Sequence, residues 1–173
     1  MARLYILTGP AGVGKSTISK GIAERLEKSV LLEGDDFYHQ VVGGYKEAWK
    51  PGNHLDIFWK VCIDTINNYL NAGYDVVFNY IISKDKFIEL KNIFENVELK
   101  FVVLLVDETT ILKRDRKRPK EYQMKERCLV LLNEFLNNNY DDNYILYTDK
   151  LSINQTIDEI ISNEKYYTKQ DNL

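Results

Sequence analysis

The chain has 173 residues, of which 45% are hydrophobic and 28% charged, with a formal net charge of -3. That length allows one domain with a substantial core and leaves little room for a second, and the composition is that of a soluble globular protein rather than a disordered or fibrous one. The acidic balance, with a sequence pI near 5.5, argues against a broad nucleic-acid groove.

Residues 3–8 read as a short buried strand, bounded by the run Gly9-Pro10-Ala11-Gly12-Val13-Gly14. A helix follows over 15–26, where Ile18, Ile22 and Leu26 form one apolar stripe at i, i+4 and i+8. Residues 29–33 read as a second strand. The stretch 34–53 has no clear periodicity and holds Gly43-Gly44 and Pro51-Gly52; it is too long for an ordinary connection and is expected to be functional. Leu55, Phe58, Trp59, Cys62, Ile63, Ile66 and Leu70 mark a helix that should stop near Gly73. Residues 75–82 resemble a third buried strand, and Phe87, Leu90 and Phe94 a short helix. Residues 99–106 are almost wholly apolar, as central parallel strands are. Met124, Cys128, Leu131, Leu132 and Phe135 predict another helix, 144–147 a last strand, and Ile157, Ile160 and Ile161 a last helix. The domain is expected to span 1–163, with 164–173 a polar, disordered tail. Alternating strands and helices predict a parallel sheet covered on both faces.

Cys62 and Cys128 are the only cysteines and sit in apolar helical patterns, which sets aside a disulfide framework or a four-ligand zinc site. The longest apolar run, 101–106, is far below the roughly 20 residues of a spanning helix. The apolar residues 4–7 are too few for a signal-peptide core. The expectation is a cytoplasmic protein without a membrane partner.

Gly9-Pro10-Ala11-Gly12-Val13-Gly14-Lys15-Ser16 fits G-x-x-x-x-G-K-[ST] between a strand and a helix, which is the context the phosphate-loop pattern requires. Glycines let the backbone curl so that its N–H groups and the helix N-terminus face an anion. Lys15 is expected at the β- and γ-phosphates, Ser16 at Mg²⁺, and Thr17 near the α-phosphate. With no Asn-Lys-x-Asp guanine-reading motif in the chain, ATP is the expected nucleotide. The second strand runs into Gly34-Asp35-Asp36-Phe37-Tyr38-His39, placing two carboxylates at the carboxyl edge of a parallel sheet. Phosphoryl transfer to a hydroxyl needs such a group, to accept the proton and to hold Mg²⁺ through water.

The run from Gly9 to Thr17, followed about 20 residues later by Gly34-Asp35-Asp36-Phe37-Tyr38, resembles the small P-loop kinases: chloramphenicol phosphotransferase, gluconate kinase, adenylylsulfate kinase, uridine kinase and the polynucleotide 5'-kinase group. The resemblance implies a P-loop NTPase three-layer α/β/α fold, a five-stranded parallel sheet in the order 2-3-1-4-5, and a short basic lid over 110–122. It also implies Asp35, rather than Asp36, as the acceptor-side base. One departure is Asn79-Tyr80 at the end of the third strand, where many P-loop proteins place an aspartate. Mg²⁺ would then rest on Ser16, Asp35 and Asp36.

Residues 113–127 carry a net +5 within an acidic chain, which points to anion contact. Arg114 and Arg118 stand one helical turn apart; by the resemblance they are lid cations that close over the phosphates. Arg127 is a further candidate. Among the aromatics between 37 and 59, Tyr38, Tyr45 and Trp49 are candidates for contact with a ring-bearing or partly apolar acceptor. The expectation is an ATP- and Mg²⁺-dependent transfer of the γ-phosphoryl group to a hydroxyl of a small molecule. A polynucleotide 5'-kinase-like enzyme and an ATP-binding sensor without transfer activity are the alternatives, the former disfavoured by the acidic pI.

Overall fold

The apolar run around 99–106 forms the strand β4, Glu98–Leu105, which lies beside β1, Arg3–Thr8. In β1, Leu4 to Leu7 are completely buried, so each face of this strand must be apolar, as in a parallel sheet covered on both sides. In the computed structural model, which describes residues 2–168, β2 (Ser29–Glu33), β3 (Asp75–Asn79) and β5 (Ile145–Tyr147) complete a five-stranded parallel sheet. Its order is β2-β3-β1-β4-β5, as the kinase resemblance implies.

The helices alternate with the strands: α1 (Lys15–Arg25), α2 (Gly34–Tyr38), α3 (His54–Asn71), α4 (Lys84–Ile93), α5 (Glu108–Arg116), α6 (Arg127–Asn137) and α7 (Ile153–Ser162). They cover both sides of the sheet. The helix α1 packs so closely on α7 that a methyl group at Gly21 would lie 2.3 Å from Ile157 Cδ1. At the end of α3, the N–H of Gly73 donates to the Leu70 carbonyl, which closes the helix where its glycine predicts.

Several elements differ from the sequence expectations for a physical reason. The third strand ends at Asn79 rather than 82, because the Ile82 N–H donates to the Thr8 hydroxyl instead of a strand neighbour. The stretch 34–53 begins with the five-residue helix α2, too short to show a periodicity. The last strand starts at Ile145, with Tyr144 in a 3-10 turn. The expected disordered tail is built at least to 168: Glu164–Tyr166 is a 3-10 turn, Tyr166 is fully buried, and Tyr167 bridges Lys100. β5 pairs only with Val103 to Leu105, so the first half of β4 would otherwise be a bare edge, and unpaired edges need cover. Residues 169–173 of that expected tail lie outside the described residues.

Lys100 is buried on β4, and its ammonium donates to the carbonyls of Ile160 (3.0 Å), Ile161 (2.7 Å) and Asn163 (3.1 Å) at the end of α7. Helix C-termini leave carbonyls without intrahelical partners and carry partial negative charge. A buried lysine supplies what both require.

Candidate phosphate-binding and acceptor site

The loop after β1 curls over the end of the sheet. Gly9 has φ near 141°, and a Cβ there would stand 2.4 Å from the Leu104 carbonyl oxygen, so only glycine fits this approach of loop to β4. Lys15 folds back over the loop, donating to the carbonyls of Gly9 (2.9 Å) and Pro10 (3.1 Å). Burial pushes its amine down to about 8, opposed by the nearby charge of Asp35. Ser16 and Thr17, in the first turn of α1, are exposed, and among the described residues neither hydroxyl makes a hydrogen bond.

β2 and α2 carry the acidic pair. Gly34 is buried, and a Cβ there would lie 2.4 Å from the Tyr80 ring, so the absence of a side chain lets β3's exit pack against the turn that presents Asp35. The two carboxylates point to different places. Asp35 lines a cleft of about 1130 Å³ together with the phosphate loop from Ala11 to Ile18. Asp36 lines an adjoining depression of about 400 Å³ with Lys20, Glu33 and the Ser16 and Thr17 that the cleft also touches. Hydroxyl and carboxylate oxygens are hard donors that suit Mg²⁺, which is usually held by one or two protein groups and the substrate's phosphates. The described residues contain no cluster of three or more His, Cys, Asp or Glu able to form a protein cage.

The basic segment closes the other side of the cleft. Arg114, half-buried on α5, donates to the Val13 carbonyl (2.5 Å) in the phosphate loop and to Thr148, through Oγ1 at 3.3 Å and the carbonyl at 3.4 Å. Arg118 also lines the cleft; its Nη1 is buried without a hydrogen-bond partner, the nearest carboxylate oxygen being that of Asp115 at 3.6 Å. Asp115 itself is buried and accepts the N–H groups of Met124 (3.0 Å) and Lys125 (2.8 Å). The segment is thus a helix and a loop fastened to one buried carboxylate, not a uniformly solvated helix.

Of the aromatic candidates, Trp49 is 66% exposed and lines the cleft, with the Arg127 guanidinium 4.7 Å from its ring centroid. Tyr38 is buried in the core, edge-on to Phe58, with its hydroxyl donating to the Lys46 carbonyl. Tyr45 stacks on His39 and is not among the residues lining the cleft. The cleft wall instead includes Trp59 and Tyr80, read from the sequence as a helix core residue and a strand residue, and Lys86, which gave no signal. Thr148 could have been found from its position just beyond the last strand, because ligands of open α/β sheets bind beyond the strands' carboxyl ends.

The sheet order and the loop between β1 and α1 define a P-loop NTPase-like α/β fold. The chain belongs to the AAA domain family, whose sequence profile matches residues 4–130. No curated protein matches it by sequence. Among solved structures it is similar to a sugar kinase from Janibacter sp. HTCC2649, with 17% identity over 92% of both chains and a TM-score of 0.68. It is also similar to a gluconokinase from Sinorhizobium meliloti 1021, with 19% identity over 91% of this chain and 89% of the other and a TM-score of 0.63. An APS kinase from Mycobacterium tuberculosis, solved with AMPPNP and APS, gives 14% identity over 92% and 95% and a TM-score of 0.67. The resemblance to the small P-loop kinases holds at the level of the fold.

Proposed function

We propose that this protein is an ATP- and Mg²⁺-dependent kinase that transfers the γ-phosphoryl group to a hydroxyl of a small molecule. The observation that carries the reading is that Asp35 and the phosphate loop line one cleft, so that a carboxylate and a phosphate cradle face a shared space. A protein that only sensed ATP would have no use for a carboxylate there.

In this reading the loop amides and Lys15 hold the β- and γ-phosphates, and Thr17 lies near the α-phosphate. Ser16, Asp35 and Asp36 would hold Mg²⁺, which would neutralise phosphate charge when bound. Asp35 accepts the proton of the attacking hydroxyl. Arg114 is already seated on the loop, and Arg118, ion-paired with Asp115 at 3.6 Å, has a buried Nη1 whose N–H makes no hydrogen bond and can turn to the charge that develops on transfer. Trp49, Trp59 and Tyr80 supply the wall against which the acceptor lies. The reading is supported by three fold neighbours that are kinases by name.

The test is transfer of label from [γ-³²P]ATP to a panel of sugars, nucleosides, antibiotics and oligonucleotide 5' ends. A labelled small molecule is the expected product. Label only on oligonucleotides would make the protein an end kinase, and no label with intact ATP binding would make it a sensor.

A further inference from the structure

The strand β3 ends in Asn79, so the carboxylate that many P-loop proteins present there is missing, yet the position beside it is acidic. Glu33 and Asn79 are cross-strand partners in the parallel pair β2–β3, and Asn79 is in turn the partner of Leu7 in β1, the strand that runs into the phosphate loop. The Asn79 amide donates to Glu33 Oε1 at 3.3 Å, which fixes the direction of that carboxylate. Glu33 is partly buried, and among the described residues no cation lies within ion-pair distance of it. The neighbouring Lys20 is directed to Glu24. The Lys15 ammonium acts on Glu33 through space but donates its own hydrogen bonds to the Gly9 and Pro10 carbonyls, so the carboxylate has one amide hydrogen bond and no ion pair, and a further cation would stabilise it. What it shares its depression with is the uncommitted hydroxyl of Ser16, together with Asp36.

We infer that Glu33 is the carboxylate that orients the nucleotide-bound Mg²⁺ in this chain, with Asn79 as its positioning residue, so that the acidic function has moved one strand outward from β3 to β2. The inference rests on the nucleotide-binding reading given above, but not on phosphoryl transfer. It divides two jobs at the end of β2: Glu33 serves the metal from the side of Ser16 shared with Asp36, and Asp35, on the cleft side of the same Ser16, is left to serve the acceptor. Asn79 cannot bind the metal as strongly as a carboxylate, but its amide is the right group to hold one in place.

The experiment measures the affinity of a fluorescent ATP analogue for the intact protein in EDTA and in Mg²⁺, with Mn²⁺ binding to the protein–nucleotide complex followed by EPR. Glu33→Gln keeps an oxygen to accept from Asn79, so a purely structural role would survive it. The expected result is that E33Q leaves affinity in EDTA unchanged while reducing the Mg²⁺-dependent gain and the Mn²⁺ affinity by about 10- to 100-fold, the usual effect of losing a group that orients a metal's ligands. The exchange variant E33Q/N79D, which returns a carboxylate to the end of β3, is expected to recover part of that loss. A wild-type Mg²⁺ gain in E33Q, or an equal loss in EDTA and Mg²⁺, would overturn the assignment. Absence of nucleotide binding by the wild-type protein in both conditions would instead remove the phosphate-loop reading itself.

Discussion

The Arg114 guanidinium is hydrogen-bonded to the backbone carbonyl of Val13, 101 residues earlier in the chain, so the basic segment touches the phosphate loop without any ligand between them. The same side chain reaches Thr148 beyond β5. One residue therefore ties together the loop, α5 and the turn into α7. Arg114→Ala is expected to weaken binding of an ATP analogue by about 10- to 100-fold, the worth of a charge-assisted hydrogen bond of about 1.5–3 kcal/mol. Arg114→Lys is expected to recover little, because an ammonium cannot reproduce the guanidinium fork that spans Val13 and Thr148. Fluorescence titration of both variants checks this.

The amine of Lys15 gives the binding a pH signature. Burial lowers it to about 8 in the nucleotide-free protein. ATP affinity is expected to be flat below that value and to fall above it, by up to about tenfold per pH unit, as binding comes to require proton uptake. The Lys15→Ala variant is expected to bind weakly with no such slope. The linkage to folding runs the opposite way: the unfolded chain, with its amine at the ordinary 10.5, binds more protons than the fold between about 8 and 10.5. Lys15 thus contributes an increase in stability as pH rises through that window. A pH-independent affinity between 7 and 9.5 would contradict the assignment.

Asp115 is expected to control the order of the loop that follows α5. Replacing it with Ala would strand the N–H groups of Met124 and Lys125, at a cost of about 2–3 kcal/mol. For a chain of this size that lowers Tm by roughly 5–10 °C. Trypsin should cut between 117 and 125 faster in Asp115→Ala than in the wild-type protein, and an ATP analogue should slow the wild-type cleavage.

Lys100 tests the packing of the C-terminal segment independently of the site. Lys100→Met keeps an unbranched, nearly full-length apolar side chain but leaves three carbonyls at the end of α7 without their donor. The expected loss is about 2–3 kcal/mol in urea denaturation, with ATP affinity unchanged because the residue is far from the phosphate loop in the fold.

Legibility in the sequence followed the range of the physics. The strands at 3–8 and 29–33 and the loop from Gly9 to Ser16 were readable because apolar runs and glycine spacing are local signals. The end of the third strand was not: Tyr80, Ile81 and Ile82 continue the apolar run, and what stops the strand is a hydrogen bond from Ile82 to Thr8 across the sheet. The same holds for the segment at 164–168, where Tyr166 is buried in a stretch polar enough to read as solvated. The sequence placed Asp35 and Asp36 side by side but could not say that they face different depressions, since that depends on the turn of α2. Trp49 and Arg127 meet across 78 residues only because the loop before α3 and the first turn of α6 come together at the cleft.

The central claim is that Asp35 acts on the acceptor rather than on the nucleotide, and the measurement that reaches it most directly is phosphoryl transfer by Asp35→Asn. The amide is nearly isosteric with the carboxylate and Asp35 is exposed on the cleft wall, so the fold and the phosphate cradle should survive. With the acceptor identified by the labelled screen, the expected result is ATP affinity close to that of the wild-type protein and a turnover lower by about 10²- to 10⁴-fold, the worth of a positioned general base. Transfer at the wild-type rate by Asp35→Asn would contradict the account.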